Sequence, residues 1–309
     1  MFFEGSEKKI EVVVSSTTPS LRQLGDGFWA EIVASANAEI LSKLSNAHCD
    51  AYILSESSLF VWEHKFLMLT CGTTTLADAV LLFVDKLGGS AIAAASYQRK
   101  SESLSHLQAS SFECDLSRLR NKIPGRAYRV GHLDTHHHYI FCADTKAQFS
   151  PPQNSGQLLM YHIKGDVAEY LRSDTQSSRG IRDILRLDSL FPDFMFDDHL
   201  FKPFGYSING LWNEKYMTIH ITPQEKGSYV SIETNLHFFQ HSFNIFSDML
   251  NILNPRSWDV IGFNTEITAD GFPACISVAS CSLQITSSDT VYFNQYHQQS
   301  NEVLIPESL

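Results

Sequence analysis

DAYILSESSLFVWEHKFLMLTC, residues 50–71, is the stretch from which the fold is read. It holds two apolar, strand-like runs, 50–62 and 65–71, close enough in sequence to pair with each other. The first run is interrupted by Glu56-Ser57-Ser58 and the second ends in Cys71, Gly72 and three threonines. A surface turn accounts for a lone Glu-Ser-Ser, but two polar interruptions on adjacent strands can meet at one site.

Outward from this hairpin, further strand-like segments lie at 9–14, 128–144, 216–222 and 228–234. Helical spacing links Trp29, Ile32, Val33, Ala36, Ile40 and Leu44, then Leu76, Val80, Phe83 and Val84, and later Phe243, Phe246, Leu250 and Leu253. The order strand, helix, paired strands, helix, strands occurs twice. Pro151, Pro152 and Gly156 break the pattern like a linker, dividing the single domain into halves of about 1–150 and 151–309. No residue-level repeat accompanies that suggestion of internal duplication. The fold class is α+β, antiparallel strands with helices on one face of each half. Residues 98–122, rich in Ser, Arg and Lys, read as exposed loop and helix.

Acidic residues outnumber basic ones 34 to 23, a formal net charge of -11, so no phosphate-tracking surface is expected and nucleic acid is not an expected partner. The opening MFFEGSEKKI lacks the apolar core of a secretory signal, and no run reaches membrane-spanning length. The expectation is a cytoplasmic protein with no membrane contact. Six cysteines include no CxxC pair and read mostly as buried thiols. In HLDTHHHYIF (132–141) only His136 and His138 share a strand side, and no carboxylate partner is evident in the sequence. A solvated hairpin is the simpler reading, and no metal is expected. The isolated glycines form no phosphate-binding loop.

Six blocks carry a resemblance: FFEGSEKKIEV (2–12), YILSESSLFV (52–61), TCGTTTL (70–76), RGIRD (179–183), KPFGYSINGLW (202–212) and YMTIHITPQEKGSYVSIETNL (216–236). In this order and spacing the chain resembles the eukaryotic-type S-adenosylmethionine decarboxylases over nearly its whole length, with 98–150 matching weakly. The resemblance implies a four-layer α/β/β/α sandwich of two antiparallel sheets, with the active site between them. It also implies self-cleavage at Glu56-Ser57 into 1–56 and 57–309. Ser57 then becomes a pyruvoyl group that forms a Schiff base with S-adenosylmethionine and withdraws electrons as carbon dioxide leaves.

On the same resemblance, His220 is the base and Ser207 a hydrogen-bonding group for processing, and Cys71 is the proton donor in turnover. Glu4 and Glu7 are acidic active-site positions, and Phe3 and Phe201 stack the adenine, aided by cation–π attraction to the sulfonium. His220 alternates with Thr218 and Thr222 on its strand, opposite Met217, Ile219 and Ile221, which puts it on the polar side.

Two positions depart from the animal pattern. Gln224 stands where a glutamate accepts both ribose hydroxyls; Glu225, next along, should point the other way on a strand. The animal enzymes' putrescine cluster keeps Glu11 and Glu233, but its lysine is Leu69 and two of its acids are Gln153 and Gln157. A buried diamine needs more compensating charge, so putrescine activation is expected to be absent. The product is expected to feed spermidine synthesis. Alternatives are a pyruvoyl decarboxylase of another amino acid and a catalytically dead regulatory paralogue; a homodimer is left open.

Overall fold

The computed structural model describes residues 7–102, 104–133, 136–144, 154–236, 244–286 and 289–300. Phe3, Glu4, Gln153 and Phe243 lie outside them. The first half holds β1 (Lys8–Val14), β2 (Ile40–Ser45), β3 (Asp50–Leu54), β4 (Ser57–Val61), β5 (Lys65–Thr70), β6 (Ile92–Lys100), β7 (Gly125–Val130) and β8 (His138–Ala143). The second holds β9 (Ser155–Ile163), β10 (Met195–Leu200), β11 (Tyr206–Trp212), β12 (Lys215–Thr222), β13 (Tyr229–Thr234), β14 (Pro255–Phe263), β15 (Cys275–Gln284) and β16 (Thr290–Gln298).

These strands form two eight-stranded antiparallel sheets, ordered β2-β3-β4-β5-β1-β6-β8-β7 and β10-β11-β12-β13-β9-β14-β16-β15. Adding eight to every strand number of the first order reproduces the second, so the topology itself is duplicated. The sheets stack with equivalent edges together, β2 and β3 lying against β10 and β11.

Strand alternation builds the four layers. On one outer face, Trp29, Ile32 and Val33 of α1 (Gly25–Ser35) and Val80 and Phe83 of α2 (Leu76–Leu87) pack on Ile10 and Val12 of β1 and Phe66 and Met68 of β5. The helix α3 (Phe112–Arg120) covers the same side. On the other outer face, α4 (Asp166–Tyr170), α5 (Ser178–Ile184), α6 (Leu187–Leu190) and α7 (Ile245–Leu253) cover Leu158, Met160, Ile219, Ile232 and Val260. Among the described residues no helix is long and apolar enough to cross a membrane.

Between the sheets lie two smaller apolar clusters, one joining Phe60, Leu67 and Leu69 to Leu211 and Tyr216, the other joining Ile140 and Cys142 to Leu159, Ile261 and Phe293. A polar band runs between and beside them. Lys9 Nζ meets Glu233 Oε1 at 2.7 Å, Lys100 Nζ stands over the Tyr161 ring, and His138 Nε2 meets Asp259 Oδ2 at 2.8 Å.

The fold departs from four sequence expectations. The helical spacing from Trp29 does not run on to Leu44: Asn37 takes φ 60°, Ala38 N–H returns to the Val33 carbonyl and Asn37 N–H to the Ala34 carbonyl. That left-handed ending closes α1, and Ile40 and Leu44 belong to β2. Gly156 is no linker residue; it lies in β9, opposite Thr234 and Gly262. Within 98–122, Gln98 and Arg99 are buried in β6, and Arg99 pairs with Glu102 and Asp115. The histidine segment is not a solvated hairpin, because His137 and His138 are buried and Asp259 supplies the carboxylate.

Candidate active site

The β3–β4 hairpin closes on a two-residue loop, Ser55-Glu56, with Leu54 opposite Ser57. Two-residue hairpins favour turns with left-handed residues, the role of Gly or Asn. This loop has neither, and Ser57 itself takes φ 141°. For a non-glycine residue that conformation stores about 1–3 kcal/mol. Ser57 Oγ is buried and has no hydrogen-bond partner among the described residues.

Across the neighbouring strand, β5 ends at Thr70 opposite Ser57, which sets Cys71 against the loop. Cys71 N–H donates to the Glu56 carbonyl oxygen at 2.9 Å, and Cys71 Sγ lies 3.3 Å from the same oxygen. Two donors from one residue therefore converge on the carbonyl of the Glu56–Ser57 bond. The turn holding Cys71 is fixed by Thr74 Oγ1, which reaches the Cys71 carbonyl at 2.8 Å, and by Lys8 Nζ, which donates to the Gly72 carbonyl at 2.7 Å. Burial, assisted by Arg99, brings the Lys8 ammonium down to about 8. Burial raises the Glu56 carboxyl above its ordinary value, with Lys8 opposing.

The second sheet contributes a row of directly opposed residues, His199, Ser207, His220 and Ser231, on strands β10 to β13. Ser207 Oγ is 2.9 Å from His220 Nδ1, and Thr218 Oγ1 is 2.8 Å from Nε2. Burial pushes the imidazole down to about 3, so it is neutral at physiological pH. Ser231 Oγ donates to Glu7 Oε2 at 2.7 Å; burial nevertheless raises the Glu7 carboxyl to about 8. Phe201 follows β10 and packs edge-on to His199 at 4.6 Å, beside this row.

The expected residues thus fall into two groups: Glu56, Ser57 and Cys71 at the hairpin, and Ser207 and His220 on the opposite sheet, with Glu7 reaching that sheet from β1's leading end. Ser57 hydrogen-bonds neither Ser207 nor His220. The groups are joined instead through Ser58 Oγ, which donates to Asn209 Oδ1 at 2.7 Å. The sequence assigns no role to Ser58, Asn209 or Thr218. The available signal was their spacing: Asn209 is two residues from Ser207, and Thr218 two from His220, so each pair shares a strand face. Gln224 and Glu225 lie beyond the end of β12, in the loop before β13, so strand alternation does not separate them.

The family model described as adenosylmethionine decarboxylase matches residues 1–304. The S-adenosylmethionine decarboxylase proenzyme of Trypanosoma cruzi is 34% identical over 279 residues, covering 84% of this chain and 75% of that protein. The proenzyme of Leishmania donovani is 31% identical, with 84% and 73% covered, and that of Xenopus laevis 29% identical, with 92% and 88% covered. Among solved structures, the Trypanosoma brucei AdoMetDC-delta26 monomer superposes with a TM-score of 0.61 at 23% identity, covering 78% of this chain and 99% of the other. That likeness concerns the fold.

Proposed function

The chain belongs to the adenosylmethionine decarboxylase family and is an enzyme of that class; we propose that it cuts itself between Glu56 and Ser57 and decarboxylates S-adenosylmethionine with a pyruvoyl group made from Ser57. The observation that carries this reading is the hairpin: an unpartnered Ser57 hydroxyl, a strained Ser57 backbone and two Cys71 donors on the carbonyl of the bond to be cut.

In the first step Ser57 Oγ bonds to the Glu56 carbonyl carbon. The oxygen charge that develops meets the Cys71 N–H, a donor already in place. The C–N bond breaks, its nitrogen takes the hydroxyl proton, and residues 1–56 are held to Ser57 as an ester. A base then removes the Ser57 Cα proton, the Cβ–Oγ bond breaks, and residues 1–56 depart with a new C-terminal carboxylate. Water replaces the amine, which leaves as ammonia, and 57–309 begins with a ketone. Neutral His220 suits the role of base because its burial keeps a lone pair unprotonated, and Ser207 holds that ring in place.

A pyruvoyl carbonyl supplies an electron sink for an amine-bearing substrate. Around it this chain offers Cys71 to deliver a proton, Glu7 as a largely protonated carboxyl below pH 8, and Phe201 as a ring for adenine. Gln224 would donate to one ribose hydroxyl and accept from the other. The product would serve as aminopropyl donor for spermidine synthesis in the cytoplasm. Carbon dioxide release from carboxyl-labelled S-adenosylmethionine, compared with ornithine and arginine, tests the assignment. Release from S-adenosylmethionine alone, absent in Ser57→Ala, is expected; release from another amino acid instead would overturn it.

Putrescine activation is proposed to be absent for a reason beyond the missing lysine. Lys9 faces Leu69 across the β1–β5 pair, and its ammonium is buried against Glu233. Glu233 also accepts from Tyr216 Oη at 2.6 Å and from Gln157 Nε2 at 2.7 Å. The acid that a diamine would need already has an internal cation.

A further inference from the structure

We infer that Asn209 and Thr218 are positioning residues, which hold His220 with its proton on Nε2 and its lone pair on Nδ1, facing Ser207. The inference rests on the reading of His220 as the processing base and names what prepares it.

Asn209 Nδ2 donates to the Tyr52 carbonyl oxygen at 3.1 Å. A carbonyl can only accept, so this contact orients the amide and aims Oδ1 away from Tyr52. Oδ1, also only an acceptor, receives Ser58 Oγ at 2.7 Å and Thr218 Oγ1 at 2.9 Å. Thr218 has one hydroxyl proton, and Asn209 takes it. The 2.8 Å contact between Thr218 Oγ1 and His220 Nε2 must then be an N–H donated by the imidazole. Were the threonine proton directed to Ser58 Oγ, 3.5 Å away, Thr218 would still have none for the ring.

A neutral imidazole carries one N–H. With that proton on Nε2, Nδ1 is the free base and receives the Ser207 hydroxyl at 2.9 Å. Burial disfavours the doubly protonated ring, which agrees with this assignment. The five side chains Ser58, Asn209, Thr218, His220 and Ser207 form one hydrogen-bonded line in which every hydroxyl and ring proton has a defined place. All five are buried.

The line starts on the β3–β4 hairpin, at Tyr52 and Ser58, and ends on β11 and β12. It therefore connects the strand carrying the Glu56–Ser57 bond to the ring on the facing sheet. A hairpin that docks incorrectly loses the Asn209 contacts and with them the ordering of Thr218. The base is prepared only when the bond to be cut is in place.

The test uses full-length Ser57→Ala chain, which keeps the precursor, labelled with 15N-histidine. The His220 signals are assigned by their loss in Ser57→Ala/His220→Gln. Expected is a pyrrole-type Nε2 and a pyridine-type Nδ1, unchanged from pH 5 to 9. Thr218→Val should release this preference, giving mixed or Nδ1-protonated ring, and Thr218→Ser should restore it. In the Ser57-containing chain, processing should slow at least about 10-fold in Thr218→Val and recover in Thr218→Ser. An Nδ1–H ring in the parent, or an unaltered Nε2–H ring in folded Thr218→Val, overturns the inference whatever the processing rate. Wild-type processing in His220→Gln would instead overturn the base assignment, leaving the tautomer result to stand or fall on the spectra.

Discussion

Replacing Lys9 by leucine keeps an apolar stem and removes the ammonium that meets Glu233. The pair is enclosed, Lys9 and Glu233 being 3% and 1% exposed, with 2.7 Å between charges. Stripping one partner from a buried pair costs about 3–5 kcal/mol. Glu233 retains Tyr216 and Gln157 as donors, which favours the lower figure, about 3 kcal/mol. Unfolding entropy of about 2.1 cal/mol/K per residue turns this into a Tm fall of about 5 °C for a chain of this length. Scanning calorimetry measures it, with and without millimolar putrescine. The diamine should raise the Tm of Lys9→Leu by several degrees and leave wild type within about 1 °C, since only the variant lacks a cation there. A Tm unchanged by the substitution would show that the buried pair contributes nothing to stability. Putrescine stabilising, or stimulating, wild type as strongly as the variant would show that Lys9 does not stand in for the diamine.

Cys71→Ala should still split, more slowly, because the Glu56 carbonyl keeps the backbone N–H at 2.9 Å and loses only the thiol. Turnover of the split variant should fall by at least about 100-fold in kcat if the thiol delivers the proton. Glu7 is a carboxyl whose folded-state value is raised from 4.5 to about 8, so the stability it supplies is full below 4.5 and is lost as pH rises toward 8. Glu7→Gln should therefore exceed wild type at pH 8.5 by roughly 1–3 kcal/mol, allowing for partial exposure, and lose that advantage at pH 4.5, as urea midpoints at the two pH values will report. Asp259 accepts from His136, His138 and Tyr161 between the sheets, so Asp259→Asn should lower stability by about 3 kcal/mol, seen as a lower urea midpoint at unchanged slope.

The strands around the candidate site were legible because their patterns are local. The alternation in 216–222 places Thr218, His220 and Thr222 on one face, and the contacts of Thr218 with Asn209 and of His220 with Ser207 lie on that face. What escaped the sequence depends on partners far along the chain. Arg99 reads as a solvated charge until Asp115 and Glu102 are folded onto it. His138 finds its carboxylate 121 residues away, and Lys9 its own 224 residues away. The duplication was legible only as a repeated order of elements, because matching strands share a place in the sheet rather than side chains: buried SSLFV of β4 answers to KYMTIHIT of β12. Thr218 was visible as a polar residue on the face of His220, but only the folded contacts reveal which atom donates to which.

Self-cleavage is tested by the intact mass of freshly purified protein and of the same protein after prolonged incubation. Conversion to two chains, 1–56 and 57–309, is expected. The larger should be blocked at its N-terminus and carry the mass of a pyruvoyl group in place of Ser57, and Ser57→Ala should remain whole. A wild-type chain that stays at full length, or a Ser57→Ala chain that splits at the same bond, would contradict it.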